Sequence, residues 1–182
     1  MRKIIASEWI SLDGVFDAGL MGEWNAPYHS DSRANYIKEG ILSCDAMLYG
    51  RKTYEMLAPY WSALKNNEMG VADKLNKVSK YVVSSTLKKA DWGDSTIING
   101  NFIEAITQLK KTAGGDILIQ GSAALVGPLL EAGLVDELRL LVHPVIMGKG
   151  ARFFTDGMHA KLQLIRTQPL DLGVIVLDYR PA

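Results

Sequence analysis

The chain has almost nothing with which to staple itself. Cys44 is the single cysteine in 182 residues, so no internal disulfide can form, and a lone thiol suits a reducing compartment. The three histidines, His29, His143 and His159, lack with Cys44 the close spacing of a metal site, and no metal is expected. His143 falls inside a strand-like run, where a packed or hydrogen-bonded ring is the expected role. No apolar run approaches the roughly 18 residues of a membrane span, and Glu8 interrupts the apolar start too early for a secretion signal. A cytoplasmic protein is the expectation. Neither sign of charge is in excess, with 20 Lys and Arg against 20 Asp and Glu. That removes any general pull toward nucleic acid or an anionic membrane and leaves an anion site to local geometry. A Gly-x-Ser-x-Gly elbow and a Walker loop are also missing, which argues against hydrolase and NTPase chemistry.

What is present fits one α/β domain over residues 1–182, long enough to bury a sizeable core. Residues 3–12 read as a strand closed by the turn Asp13-Gly14. Residues 13–32 show no sustained period. Their glycines keep them irregular, while Phe16, Met21, Trp24 and Tyr28 supply apolar surface. The segment is either a lid over a ligand or an ordered loop anchored by its aromatics. Ala34, Ile37, Ile41 and Leu42 then predict a helix over 32–43. A buried strand at 46–49 leads to Gly50-Arg51-Lys52-Thr53, where Thr53 can cap a helix carrying Tyr54, Met56 and Leu57. Ala58-Pro59 and residues 61–69 read as a connection, and Val71, Leu75 and Val78 as a short helix.

Short strands follow at 81–83, ending in Ser84-Ser85-Thr86, and at 96–98. Asn101 and Glu104 predict a capped helix that buries Phe102, Ile106 and Leu109 and stops at Gly114-Gly115. A strand at 117–119 reaches Gly121-Ser122 and passes into a helix burying Leu125, Leu129 and Ala132, with Pro128 near its first turn or kinking it. A run over 138–146 gives the next strand. Residues 151–160 are irregular, anchored by Phe153 and Phe154, and a closing hairpin spans 162–167 and 174–179. Alternating strands and helices imply a mostly parallel sheet with helices on both faces and an antiparallel hairpin at its edge.

Ligands of such sheets collect at the strands' carboxyl ends. Gly50-Arg51, Ser84-Ser85 and Gly121-Ser122 all lie there, at joints where helix-start N–H groups and hydroxyls can meet an anion. Singly, each is as well explained by an ordinary turn or a solvated basic loop. Together they provide the separate contacts a dinucleotide needs.

The constellation resembles the dihydrofolate reductase superfamily, and in particular the reductase domain of the riboflavin-biosynthesis deaminase-reductase. The residues that carry it are Ser11-Leu12-Asp13-Gly14, Gly50-Arg51-Lys52-Thr53, Gln120-Gly121-Ser122, residues 133–138, and Pro144 with Gly148-Lys149-Gly150. The resemblance implies a three-layer α/β/α fold, NADPH as cofactor, a small heterocyclic substrate and a homodimer. Arg51, with Ser84 and Ser85, would take the adenosine 2′-phosphate. Gly50, Lys52 and Thr53 would form the helix start that holds phosphates. Gly121, Ser122, Ala123 and Ala124 would offer backbone N–H groups to the pyrophosphate, and the backbone near Trp9 would meet the nicotinamide amide.

Ala123 stands where dihydrofolate reductases often have a second Arg, so the preference for NADPH over NADH falls mainly on Arg51. Gln120 replaces the Glu of the riboflavin reductases and would face substrate. Two carboxylates are candidates for the proton chemistry. Asp31 either fills the role of the acid early in the first helix or serves the helix start, and Asp13 either faces the cleft or closes a strand turn. The implied activity is hydride transfer to a C=N bond of a small heterocycle or sugar-amine, like the reduction of 5-amino-6-(5-phosphoribosylamino)uracil. A pterin reductase and a non-catalytic NADPH-binding module are the alternatives.

Overall fold

The computed structural model describes residues 1–182. In chain order the elements are β1 (Ile4–Ser11), α1 (Met21–Trp24), α2 (Asp31–Ser43), β2 (Ala46–Gly50), α3 (Arg51–Ala63), α4 (Ala72–Lys77), β3 (Ser79–Val83), β4 (Ser95–Ile98), α5 (Phe102–Lys111), β5 (Ile117–Ile119), α6 (Ala123–Glu131), β6 (Glu137–His143), β7 (Leu162–Pro169) and β8 (Ile175–Pro181). They build one eight-stranded sheet in the order β4-β3-β2-β5-β1-β6-β8-β7. The first six of these strands run parallel, and β8 and β7 add the antiparallel edge.

The inner strands are apolar on both faces, and each face has its own core. Ile4, Ala6, Ile10, Leu48 and Ile119 pack with Ile106, Leu125 and Leu129 of α5 and α6. Met47, Tyr49 and Leu118 pack on the other face with Ile41, Tyr54 and Leu75 of α2, α3 and α4. This is the expected three-layer α/β/α architecture, mostly parallel with a C-terminal antiparallel hairpin. No helix is long and apolar enough to cross a membrane.

Several local expectations need correction. Helix α3 does not stop at Ala58 but runs through Pro59 to Ala63. Proline forfeits one helix hydrogen bond, yet Pro59 is in the exposed last stretch of the helix, where water can satisfy the freed carbonyl. Likewise Pro128 is the sixth residue of α6, and the burial of Leu129 and Leu130 beyond it holds the helix together. The inward row of α2 is Arg33, Ile37 and Ile41, while Ala34 and Leu42 are exposed. Ala132, expected in the core, is exposed beyond the end of α6.

The irregular stretch over 13–32 is built from short turns: two 3-10 turns at Ala18–Leu20 and Ala26–Tyr28 flank α1. Trp24 anchors it, 2% exposed, edge-on to His143 at 5.4 Å. Strand β6 ends at His143, three residues before the expected end, because the chain turns there: the Val145 N–H returns to the His143 carbonyl and the Leu12 N–H reaches the Val145 carbonyl.

Candidate functional site

The sheet order brings the carboxyl ends of β3, β2, β5 and β1 side by side on one edge. At its centre the starts of α3 and α6 touch. The Gly50 N–H donates to Ser122 Oγ at 2.9 Å, and Thr53 Oγ1 and Ser122 Oγ lie 2.8 Å apart. Two glycines allow this contact. A Cβ on Gly50 would sit 2.9 Å from Ser122 Oγ, and a Cβ on Gly121 would come within 2.8 Å of the Thr53 side chain. Gly121 also has φ +78°, a region that costs other residues about 1–2 kcal/mol.

Neither helix has a side chain capping its start. The N–H groups of Arg51, Lys52 and Thr53 in α3, and of Ala123 and Ala124 in α6, therefore lie in first turns with no intrahelical acceptor. Both positive helix ends are directed at the same edge. Lys52 is exposed and takes part in no ion pair. Arg51 pairs with Glu55 at 2.7 Å on the surface of α3. Beside it is a depression of about 470 Å³ lined by Arg51, Val83, Ser84, Ser85, Ile98, Gly100 and Phe102.

Parts of the expected cradle are already engaged. The Gly121 N–H is not free for an anion, because it donates to Glu8 Oε2 at 2.9 Å. The hydroxyls of Thr53 and Ser122 join the two helix starts, with Ser122 Oγ also accepting from Gly50, and the bond between them leaves one of the two O–H groups as a donor. Ser84 Oγ accepts from the N–H groups of Thr86 and Leu87 and shapes the turn after β3, which leaves Ser85 and Thr86 as the exposed hydroxyls beside Arg51. Gln120 is half-buried between β5 and α6, and its side chain makes no hydrogen bond within the protein.

Neither carboxylate expected to handle protons is placed for it. Asp13 accepts from Ser11 Oγ at 2.6 Å and from the N–H groups of Met147 and Gly148 at 3.1 and 2.9 Å, with Arg152 alongside. These hydrogen bonds, the one from Ser11 foremost, hold its pKa well below the usual carboxylate range. Asp13 is the pin between the turn after β1 and the turn after β6. Asp31 is exposed at the first position of α2, next to the true N-cap Ser30, whose hydroxyl accepts from the Arg33 N–H. Successive helix residues are rotated by about 100°, so a helix that begins at Asp31 turns Arg33 inward and leaves Asp31 in water.

Arg33 was not anticipated, although its spacing of four from Ile37 and eight from Ile41 was a readable sign. It is 5% exposed, and its guanidinium lies 5.2 Å from the centre of the Trp9 ring. Its shortest bond is to Asn25 Oδ1 at 2.8 Å, with longer ones to the carbonyls of Tyr28 and Asn25. No carboxylate pairs with it, and Arg33 Nε and Trp9 Nε1 are both buried without acceptors. His143 adds no negative charge. Its Nδ1–H donates to the Ile10 carbonyl at 3.1 Å, Asn25 Nδ2 donates to Nε2 at 3.4 Å, and burial pulls its pKa down to about 4. The Trp9 face of β1 thus packs against a buried cation bonded to the 21–28 segment. Glu8 also went unnoticed as a site residue, though a charged residue sharing the parity of Ile4, Ala6 and Ile10 was legible as an exception.

This sheet, with helix starts along one edge and a hairpin at its end, has the dihydrofolate reductase-like fold. The dihydrofolate reductase of Enterococcus faecalis, solved in complex with NADP(H), superposes with a TM-score of 0.67 at 17% identity, covering 98% of this chain and 96% of that one. The Thermotoga maritima diaminohydroxyphosphoribosylaminopyrimidine deaminase/5-amino-6-(5-phosphoribosylamino)uracil reductase gives 0.69 at 13% identity, with all of this chain matched to 57% of that one. Within this class the chain belongs to the RibD C-terminal domain family, whose model matches residues 2–176. An uncharacterized Bacillus subtilis protein, YyaP, is 32% identical over 185 residues, 98% of this chain and 94% of its own.

Proposed function

We propose that the protein is an NADPH-dependent reductase that delivers hydride to a C=N bond of a small heterocycle or sugar-amine. The observation that carries this reading is the meeting of two uncapped helix starts, α3 and α6, tied together through Ser122. Their open N–H groups suit the pyrophosphate of a dinucleotide, and Lys52 adds a free cation. Val83, Ile98 and Phe102 offer apolar surface to an adenine, with Arg51 and Ser85 at its rim for the 2′-phosphate. Arg51 would have to leave Glu55, but an exposed pair of this kind is worth only about 0–1 kcal/mol, less than a charge-assisted contact to phosphate.

The bound dihydronicotinamide would supply the hydride. The protein's part is to hold the ring and the accepting carbon in near-attack geometry and to exclude water. The backbone near Trp9 would meet the nicotinamide end, beside the 21–28 segment. On the substrate side, Gln120 offers an amide, while Arg33 and Trp9 Nε1 favour a substrate rich in carbonyl or anionic acceptors. A cation on the inward face of α2 weighs against the pterin reductase alternative, which relies on an acid there.

Titrating the protein with NADPH and NADH by fluorescence, then following NADPH oxidation with a panel of ribosylaminopyrimidines and pterins, tests the proposal. The expected result is tighter binding of NADPH and turnover of a ribosylaminopyrimidine-type substrate. Binding with no turnover on any member would point to the non-catalytic module, and absence of NADPH binding would remove the reading altogether.

A further inference from the structure

Glu8 is the only acid in β1, and it lies on the strand face that sends Ile4, Ala6 and Ile10 into the larger core. It is 1% exposed and belongs to none of the ion pairs. Oε2 accepts the Gly121 N–H at 2.9 Å, while Oε1 is shut off from solvent with no partner. Burial raises the pKa of the group well above the ordinary value, against a smaller opposite effect of the Gly121 bond. In the neutral form the amide bond to Oε2 leaves the proton to Oε1, a hydroxyl without an acceptor.

The surrounding strands bound the space beside Glu8. β1 pairs with β5 only as far as Ala6 and Ile119, whereas its pairing with β6 continues to Ser11 and His143. Beyond Ala6 the carboxyl edge therefore has a notch between β1 and β5, bridged by the Glu8 side chain. The order β3-β2-β5-β1 assigns the rest. With an adenosine end beside β3 and β2 and a pyrophosphate at the joint of β2 and β5, the remaining end of a dinucleotide falls between β5 and β1.

We propose that Glu8 is a nicotinamide-binding residue: its Oε1 hydroxyl donates to the carboxamide oxygen of the bound cofactor in the notch between β1 and β5, while Oε2 stays on Gly121. The inference rests on the dinucleotide reading above and adds a side-chain contact that fixes the rotation of the ring about its glycosidic bond. Because the same carboxyl holds Gly121, it couples the ring to the loop that starts α6.

Calorimetric titration with NADP⁺ and with 2′-phospho-ADP-ribose, which lacks the nicotinamide, tests it in the wild type, Glu8→Gln and Glu8→Ala. Glu8→Ala also releases Gly121, so both ligands can weaken, but NADP⁺ should lose about three- to tenfold more affinity than the truncated ligand, the worth of one hydrogen bond. Glu8→Gln keeps an acceptor for Gly121 and an N–H donor and should remain close to wild type. Equal losses for both ligands, or none for either, would overturn the contact. Failure of the wild type to bind either ligand would instead overturn the dinucleotide reading beneath it. If Glu8→Ala does not fold, infrared spectra decide. The protonated-carboxyl band absent from Glu8→Gln should shift with NADP⁺ and not with 2′-phospho-ADP-ribose, and a shift with both or with neither sinks the proposal.

Discussion

Two places on the same edge of the sheet gather backbone N–H groups, and they are treated in opposite ways. After β6, the N–H groups of Met147 and Gly148 are filled by a carboxylate of the protein itself, Asp13. At the starts of α3 and α6, no side chain caps either helix, and the nearby hydroxyls bind one another. The first arrangement is complete and serves to pin two turns. The second is a pair of positive helix ends built into a rigid joint and left unfilled. Internal satisfaction distinguishes the two places, more than the presence of Gly, Ser or Asp does.

Gly121→Val should break the contrast most severely. A side chain there meets Thr53 at 2.8 Å and requires φ near +78°, so strain and overlap together should cost about 2–4 kcal/mol of stability. The joint of α3 and α6 would open, and NADPH titration should show binding essentially lost, with a matching drop in thermal midpoint.

Arg51→Ala should have an intermediate effect confined to the open site. Loss of a charge-assisted contact predicts a weakening of NADPH affinity by about ten- to a hundredfold, with NADH little changed. Equal losses for both cofactors in the same titration would take Arg51 off the 2′-phosphate.

Asp13→Asn should do the reverse, lowering thermal stability while leaving NADPH affinity near wild type. The sign with pH follows from its depressed pKa. A carboxylate more acidic in the folded state adds stability that is present above its unfolded value of about 3.9 and is lost as pH falls toward the folded value. The gap in thermal midpoint between wild type and variant should thus be widest near neutrality and close on acidification below about pH 4. A variant whose NADPH affinity collapses while its melting is unchanged would place Asp13 in the cleft after all.

The edge on which α3 and α6 start was far more legible in the sequence than the surroundings of Asp13 and Asp31. Gly50-Arg51 and Gly121-Ser122 follow directly on apolar strand runs, and a strand-to-helix joint exposes helix-start N–H groups by local geometry alone. The two carboxylates were less legible, Asp13 because its partners lie more than a hundred residues away and Asp31 because the exact start of α2 decides which residue turns inward. Asp13 is claimed by Met147 and Gly148, and Asp31 loses the inward position to Arg33 once Ser30 fixes where α2 begins. Glu8 stood in plain view within β1, but its meaning came from Gly121 across the sheet.

The sequence by itself determined the layers, the parallel sheet and the edge on which the helices α3 and α6 start, since these follow from short-range periodicity and from what a strand followed by a helix must do with its backbone. Tertiary structure decided which polar groups remain available. Hydrogen-bonding capacity is used up by partners distant in sequence, as Gly121 is by Glu8 and Ser122 by Gly50 and Thr53. Only the assembled structure shows that the N–H groups at the starts of α3 and α6, Arg33 Nε, Trp9 Nε1 and one oxygen of Glu8 are among those left over.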